Sequence, residues 1–314
     1  MPAFRSSRLA TLAVLAAAAL LPACASRGGS ATDDHADHDT GAAAPASASA
    51  STPAGSGAAA QATGLPAGAD DANARLAASP RHGEWAMIRA GSSDSVRAWV
   101  VYPERRDKAP VVLVVHEIFG LSNWIRAVAD QFAAEGFIAI APDLLTGKGV
   151  PDGPDGVNGD SARVAIRTLD QADVQRRLDA VARYGMVLPA ALPRYGIVGF
   201  CWGGSVSFAH AVHAPSLGAS VVYYGTSPAT PQLASVRAPV LGLYGENDAR
   251  VNSTIAPADS ALKAQGKTYE PVIFPGAGHG FLRAQTGASG PANTEATKGA
   301  WPRTVAWFHK YLRG

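Results

Sequence analysis

The sequence predicts one α/β domain, a mostly parallel central sheet with helices on both faces. Three observations lead there. Beyond residue 81, short β-branched and apolar runs alternate with segments whose apolar residues recur at helical spacing. One run, Val111 to Val115, is apolar throughout, as suits a strand covered on both faces. The stretch I-V-G-F-C-W-G-G-S, Ile197 to Ser205, joins an apolar run to a helix-like segment through a glycine-rich turn.

The elements follow in order. Ser95 to Tyr102 mixes alternation with β-formers and is expected to be an antiparallel edge strand. After Val111–Val115, the residues Ile125, Val128, Ala129 and Phe132 mark a helix that Gly136 caps. Phe137 to Ala141 is a short strand. Asp143 to Asp160, rich in Gly, Pro and Asp, is a long loop without calcium-loop spacing. Val174, Leu178, Val181 and Ala182 mark the next helix, ending near Gly185. Then come a strand at Tyr195–Phe200, a helix from Gly203 to about Ala214, and strands at Ala219–Tyr224 and Val240–Tyr244. A helix at Ala258–Gln265, a strand at Tyr269–Phe274 and a closing helix with Trp301, Val305, Phe308 and Leu312 on one face complete the chain.

Ahead of this domain the texture differs. Arg5 and Arg8 precede an apolar run from Leu9 to Leu21, which is short of the about 20 residues a membrane span needs. The run ends L-P-A-C, which resembles the lipobox of bacterial lipoproteins, cut before the cysteine that becomes lipidated. Residues 1–23 are therefore expected to be a signal peptide and Cys24 a lipidation site. A soluble exported protein, cut nearby, is the alternative. Residues 24–80 are Ala, Gly, Ser, Thr and Pro with few large apolar side chains, and are expected to be a flexible tether. The tract D-D-H-A-D-H-D at Asp33–Asp39 reads as a solvated polar patch rather than a metal site. The globular domain spans residues 81–314, and roughly 230 residues suffice for a sizeable core.

Of 314 residues, 17% are charged and the net charge is +2, which argues against a nucleic-acid surface. The cysteines are Cys24 and Cys201. If Cys24 is acylated, Cys201 has no disulfide partner, and a lone thiol kept in an oxidising compartment suggests chemistry.

Four strand ends should converge, since functional residues of an open α/β sheet gather at the carboxyl ends of its strands. Val111–Val115 delivers His116, Glu117 and Ile118. The next delivers G-F-C-W-G, a nucleophile elbow with cysteine in the usual serine position. Val240–Tyr244 delivers G-E-N-D, and Tyr269–Phe274 delivers P-G-A-G-H-G-F. The order Cys201, Asp248, His279 is nucleophile, acid, base. Cys201 would attack an acyl carbon as thiolate, His279 would move the proton, and Asp248 would fix the imidazole. The backbone N–H groups of Trp202 and Ile118 would hold the oxyanion. Glu246 rivals Asp248 but lies earlier in its loop. His210, His213 and His309 fit helical positions without a chemical role, and His116 suits either kind of place.

At these motifs the chain resembles the dienelactone hydrolase family of α/β-hydrolases. The matching stretches are H-E-I-F-G-L from His116, A-P-D-L from Ala141, G-F-C-W-G-G from Gly199, Y-G-E-N-D from Tyr244 and A-G-H-G-F from Ala277. The resemblance implies the α/β-hydrolase fold and a Cys201–His279–Asp248 triad. It also implies that Glu117 restrains the resting thiol until substrate displaces it, and that Arg283 binds a substrate carboxylate. A second arginine, Arg163 or Arg167, would join it. The expected activity is cofactor-independent hydrolysis of esters or lactones, carboxymethylenebutenolidase-like, by a monomer without metal. It would be lipid-anchored through Cys24 and face the periplasm. A general carboxylesterase or thioesterase is the nearest rival, and a non-catalytic envelope binding module the next. A redox role is disfavoured by the lack of a C-x-x-C pair.

Overall fold

The structure, a computed structural model, describes residues 64–313. The signal peptide, Cys24, the Asp33–Asp39 tract and the tether up to residue 63 lie outside the described residues.

Among the described residues eight strands form one sheet. They are β1 (Gly83–Arg89), β2 (Ser95–Val101), β3 (Ala109–Val115), β4 (Ile138–Pro142), β5 (Ala191–Phe200), β6 (Ala219–Tyr223), β7 (Val240–Asn247) and β8 (Tyr269–Gly278). Their spatial order is β1-β2-β4-β3-β5-β6-β7-β8. The pairs β1–β2 and β2–β4 are antiparallel and the rest are parallel.

Strand side chains alternate between the faces of this sheet, and each face has its own apolar core. Val111, Leu113 and Val115 share one core with Leu178 and Val181 of α4 (Gln171–Met186), Phe208 of α5 (Trp202–His213) and Leu262 of α7 (Ile255–Ala264). Val112 and Val114 share the other with Ile125 and Phe132 of α2 (Asn123–Ala134) and Trp301 and Phe308 of α8 (Gly290–Leu312). The fully buried run read from Val111–Val115 follows from this double cover.

Several expectations need correction. The strand at Ser95–Val101 is not an edge: β1 lies outside it, pairing from Gly83↔Val101 to Arg89↔Ser95. Trp85 and Met87 are exposed on β1, so its apolar content did not advertise a half-buried strand. The tether does not extend to residue 80. From Gly64 the chain packs on the domain and forms α1 (Ala72–Ala77). This segment packs Ala67, Ala72, Leu65 and Leu76 against one core and is also held by polar contacts. Trp124 Nε1 donates to the Ala67 carbonyl at 2.9 Å, and buried Arg75 donates to the Leu65 carbonyl at 2.7 Å and to Gln131 at 2.9 Å. The Ala69 N–H donates to the Arg283 carbonyl at 2.8 Å, Gln285 to the Pro66 carbonyl at 3.3 Å, and Thr286 to Asp70. Within the long loop, Asn158 caps the short α3 (Gly159–Ala165), accepting from the Ser161 N–H at 2.9 Å. The closing helix α8 begins at Gly290, well before Trp301, and carries Pro302 inside it at the loss of one ladder bond.

Candidate active site

Cys201 stands where β5 turns into α5, with φ +57° and ψ −115°. This left-handed backbone is costly for a residue with a Cβ and persists only where the surroundings enforce it. The neighbouring glycines show the enforcement. A Cβ on Gly199 would strike the Gly203 carbonyl, and one on Gly203 would strike the His116 carbonyl. The Cys201 N–H donates to the Tyr223 carbonyl at 3.1 Å, tying the turn to β6. The spacing G-x-C-x-G is thus a packing requirement.

The half-buried thiol is pushed up to about 11, first by burial and then by the charge of Glu117. Hydrogen bonds from the backbone N–H groups of Trp202 and Ile118, and the more distant Arg250 guanidinium, act the other way. These two N–H groups are the pair expected to hold an oxyanion.

Asp248 ends β7 and caps α6 (Ala249–Asn252). Its Oδ1 accepts from the Val251 N–H at 3.4 Å, and its Oδ2 lies 2.5 Å from His279 Nδ1. The carboxylate is buried while the histidine, on the loop after β8, keeps a third of its side chain exposed. With Nδ1 facing the carboxylate, Nε2 is the nitrogen left for chemistry. Glu246 points elsewhere, accepting from the Gly276 N–H at 2.8 Å, and of the two carboxylates Asp248 is the one in contact with His279.

Glu117 is buried, and burial pushes its carboxyl up to about 7 against the opposing pull of Arg283. Arg283 Nε lies 3.5 Å from Glu117 Oε2, and its guanidinium stacks 4.8 Å over the Phe119 ring. The structure brings Cys201, Glu117 and Arg283 together, but no hydrogen bond joins Cys201 to Glu117 or to His279 in this state. The carboxylate is turned to Arg283 instead. Catalytic contacts in a substrate-free site commonly tighten only on binding.

Arg163 and Arg167 both line a cavity of about 410 Å³ beside Ile118 and Trp202. Arg163 pairs with Asp160 at 3.3 Å and reaches the Phe119 ring at 5.5 Å. His116 proves structural: its Nδ1 donates to the Glu117 carbonyl at 2.7 Å and its Nε2 accepts from the Leu144 N–H at 3.2 Å. His210 is buried between Tyr195 and Gln175, His213 pairs with Asp179, and His309 stacks on Phe137.

One residue of the site escaped the sequence reading. Tyr224, just past β6, has φ +39°, is fully buried, and lies with its ring 5.1 Å from His279. Burial, then the charges of Glu117 and Cys201, hold its hydroxyl well above the usual range, and that hydroxyl has no hydrogen-bond partner among the described residues. The only hint was Y-Y-G closing an apolar run.

The geometry can be set beside known proteins. The model of the "Dienelactone hydrolase family" matches residues 96–312. A "Putative carboxymethylenebutenolidase" of Salmonella typhimurium is 34% identical over 269 residues, covering 78% of this chain and 96% of the relative. A Bradyrhizobium protein, "Probable 2-oxo-3-(5-oxofuran-2-ylidene)propanoate lactonase", is 30% identical over 245 residues, 74% of this chain and 95% of its own. Among solved structures, a "Putative Dienelactone Hydrolase" of Klebsiella pneumoniae superposes with a TM-score of 0.63 at 31% identity, over 74% of this chain and 99% of that one. The family match takes in every strand from β2 onward and all the residues gathered around Cys201. The chain belongs to the dienelactone hydrolase family and is a hydrolase of ester or lactone bonds.

Proposed function

We propose that this hydrolase works through Cys201, His279 and Asp248 on ester or lactone substrates that carry a carboxylate, in the manner of a carboxymethylenebutenolidase. The observation that carries the reading is the Asp248–His279 contact at 2.5 Å, set across from a cysteine in a strained elbow. His279 Nε2 takes the thiol proton and the sulfur attacks the carbonyl carbon. The oxyanion accepts from the Trp202 and Ile118 N–H groups. As the carbon–oxygen bond breaks, the alkoxide takes the proton from His279. Water, deprotonated by the same nitrogen, then attacks the thioester and releases Cys201 as thiol.

Glu117 keeps the thiol protonated at rest, because a second negative charge beside a carboxylate is disfavoured. A substrate carboxylate that takes over Arg283 releases Glu117 from its partner and lets the thiolate form. The proposal includes export, with lipid on Cys24 holding the enzyme in the bacterial envelope facing the periplasm. That part rests on Arg5, Arg8, the Leu9–Leu21 run and L-P-A-C.

The test is turnover by the full-length chain and by Cys201→Ala over dienelactones, simple lactones, neutral esters and acyl-thioesters. Cysteine-dependent opening of a carboxylated lactone is expected. Turnover that survives Cys201→Ala would reject the triad, and turnover of neutral esters alone would reject the carboxylate requirement and leave a general carboxylesterase.

A further inference from the structure

Cys201 sits at one end of a cleft of about 860 Å³ that runs between α4 and α5. Its floor on α5 is Trp202, Val206, Ala209 and Val212, spaced as one face of a helix. Gln171, Gln175 and Asp179 of α4 form the facing wall. At the far end His213 Nε2 meets Asp179 Oδ2 at 2.9 Å, and that pair closes the cleft. From Cys201 to His213 the helix rises about 18 Å, at about 1.5 Å per residue. This length far exceeds what a single-ring butenolide occupies.

The α5 floor is apolar, while the other walls also carry Ser205, Thr226, Ser227 and Gln232. The cleft's charged side chains away from the thiol are paired with one another or with neighbours: Arg176 with Asp94 at 2.8 Å and Asp173 at 2.9 Å, Asp179 with His213. The direction of the cleft assigns the part of the substrate it takes. His279, Glu117 and Arg283 do not border it. The leaving oxygen must face His279 to receive its proton, so the group that extends along the α5 floor is the acyl substituent.

Resting on the hydrolase reading above, we propose that the α4–α5 cleft is an acyl-chain site, and that the enzyme accepts esters whose acyl part is a long unbranched apolar chain. The acyl group stays on Cys201 through both halves of the reaction, so the cleft would act on acylation and deacylation alike. Each methylene fully withdrawn from water can add about fourfold to kcat/KM.

The experiment uses the full-length chain with p-nitrophenyl acetate, hexanoate and decanoate, beside acetates of ethyl, hexyl and decyl alcohol. The expected result is a rise in kcat/KM of about tenfold or more from acetate to decanoate, with little response to alcohol length. Ala209→Trp, which fills the half-buried floor, and Ala209→Asp, which charges it, should each abolish that rise while acetate turnover stays within about twofold. A flat acyl profile, a rise that follows the alcohol instead, or equal losses for acetate and decanoate in both variants would overturn the proposal. Alkylation of the Cys201 peptide by N-alkylmaleimides of increasing length separates it from the hydrolase reading. Acceleration with length that Ala209→Trp removes supports the cleft even if no ester turns over. Length-independent alkylation counts against it even if esters do.

Discussion

Two buried carboxylates stand near Cys201, and they are held differently. Asp248 is fixed twice, by the helix it caps and by His279 at 2.5 Å. Glu117 is equally buried, yet its one charged neighbour, Arg283, stands 3.5 Å away, and burial drives its carboxyl up to about 7. The difference suits the two tasks proposed for them. A group proposed to hold an imidazole through the reaction is anchored before substrate arrives. A group proposed to let go is left under-compensated, close to the point of taking up a proton.

The comparison breaks most sharply at Asp248. Asp248→Asn keeps the shape and the cap acceptor but removes the charge and favours the wrong imidazole tautomer. A fall in kcat of about 10³–10⁴ with little change in thermal midpoint is expected. A loss under tenfold would show that His279 does not depend on this carboxylate.

At Glu117 the effect falls on stability and on the thiol. Its folded-state pKa is raised, so its stabilising contribution is fully present below the ordinary carboxyl value and is lost as pH rises through 7. Glu117→Gln stays neutral. Denaturant titration should show it gaining on the parent protein between about pH 5 and pH 8, by up to about 3 kcal/mol. The same change removes a charge that opposes the thiolate, so alkylation of Cys201 at pH 8 should accelerate. A stability gap that does not vary with pH would reject the buried-acid account.

The smallest effect is at Arg283. Arg283→Ala should raise KM for carboxylated substrates about tenfold, about 1.4 kcal/mol, and for neutral esters by less than twofold. Equal effects on both would place Arg283 with Glu117 alone and not with substrate.

What the sequence made legible depended on how local the cause was. The elbow could be read because its glycines are demanded by contacts within a few residues of Cys201. Asp248 and His279 could be placed because each follows a strand whose apolar run is unmistakable. Tyr224 could not, because its role comes from a left-handed turn taken by a residue that rarely adopts one. The segment from Gly64 to Ser79 was misread for a different reason. Its composition is that of a linker, and what docks it is a few small apolar contacts with Arg75, a few carbonyls and two distant partners, Trp124 and Gln131. The edge strand β1 hid because Trp85 and Met87 face outward, with Arg97 stacked 4.3 Å over Trp85.

That docked segment gives the chain's entry into the domain a mechanical meaning. Ala69, Pro66 and Asp70 are bonded to Arg283, Gln285 and Thr286, on the loop that also carries His279. The leading strap and the catalytic loop are thus buckled together. A protease that trimmed the chain at Arg81 would leave Cys201, Asp248 and His279 in place and still unfasten the loop that carries His279. A pull on the chain from its N-terminal side would reach the bonds of Gly64, Leu65, Pro66 and Ala67 before the Ala69–Arg283 bond, so those contacts shield the residue proposed to grip the substrate.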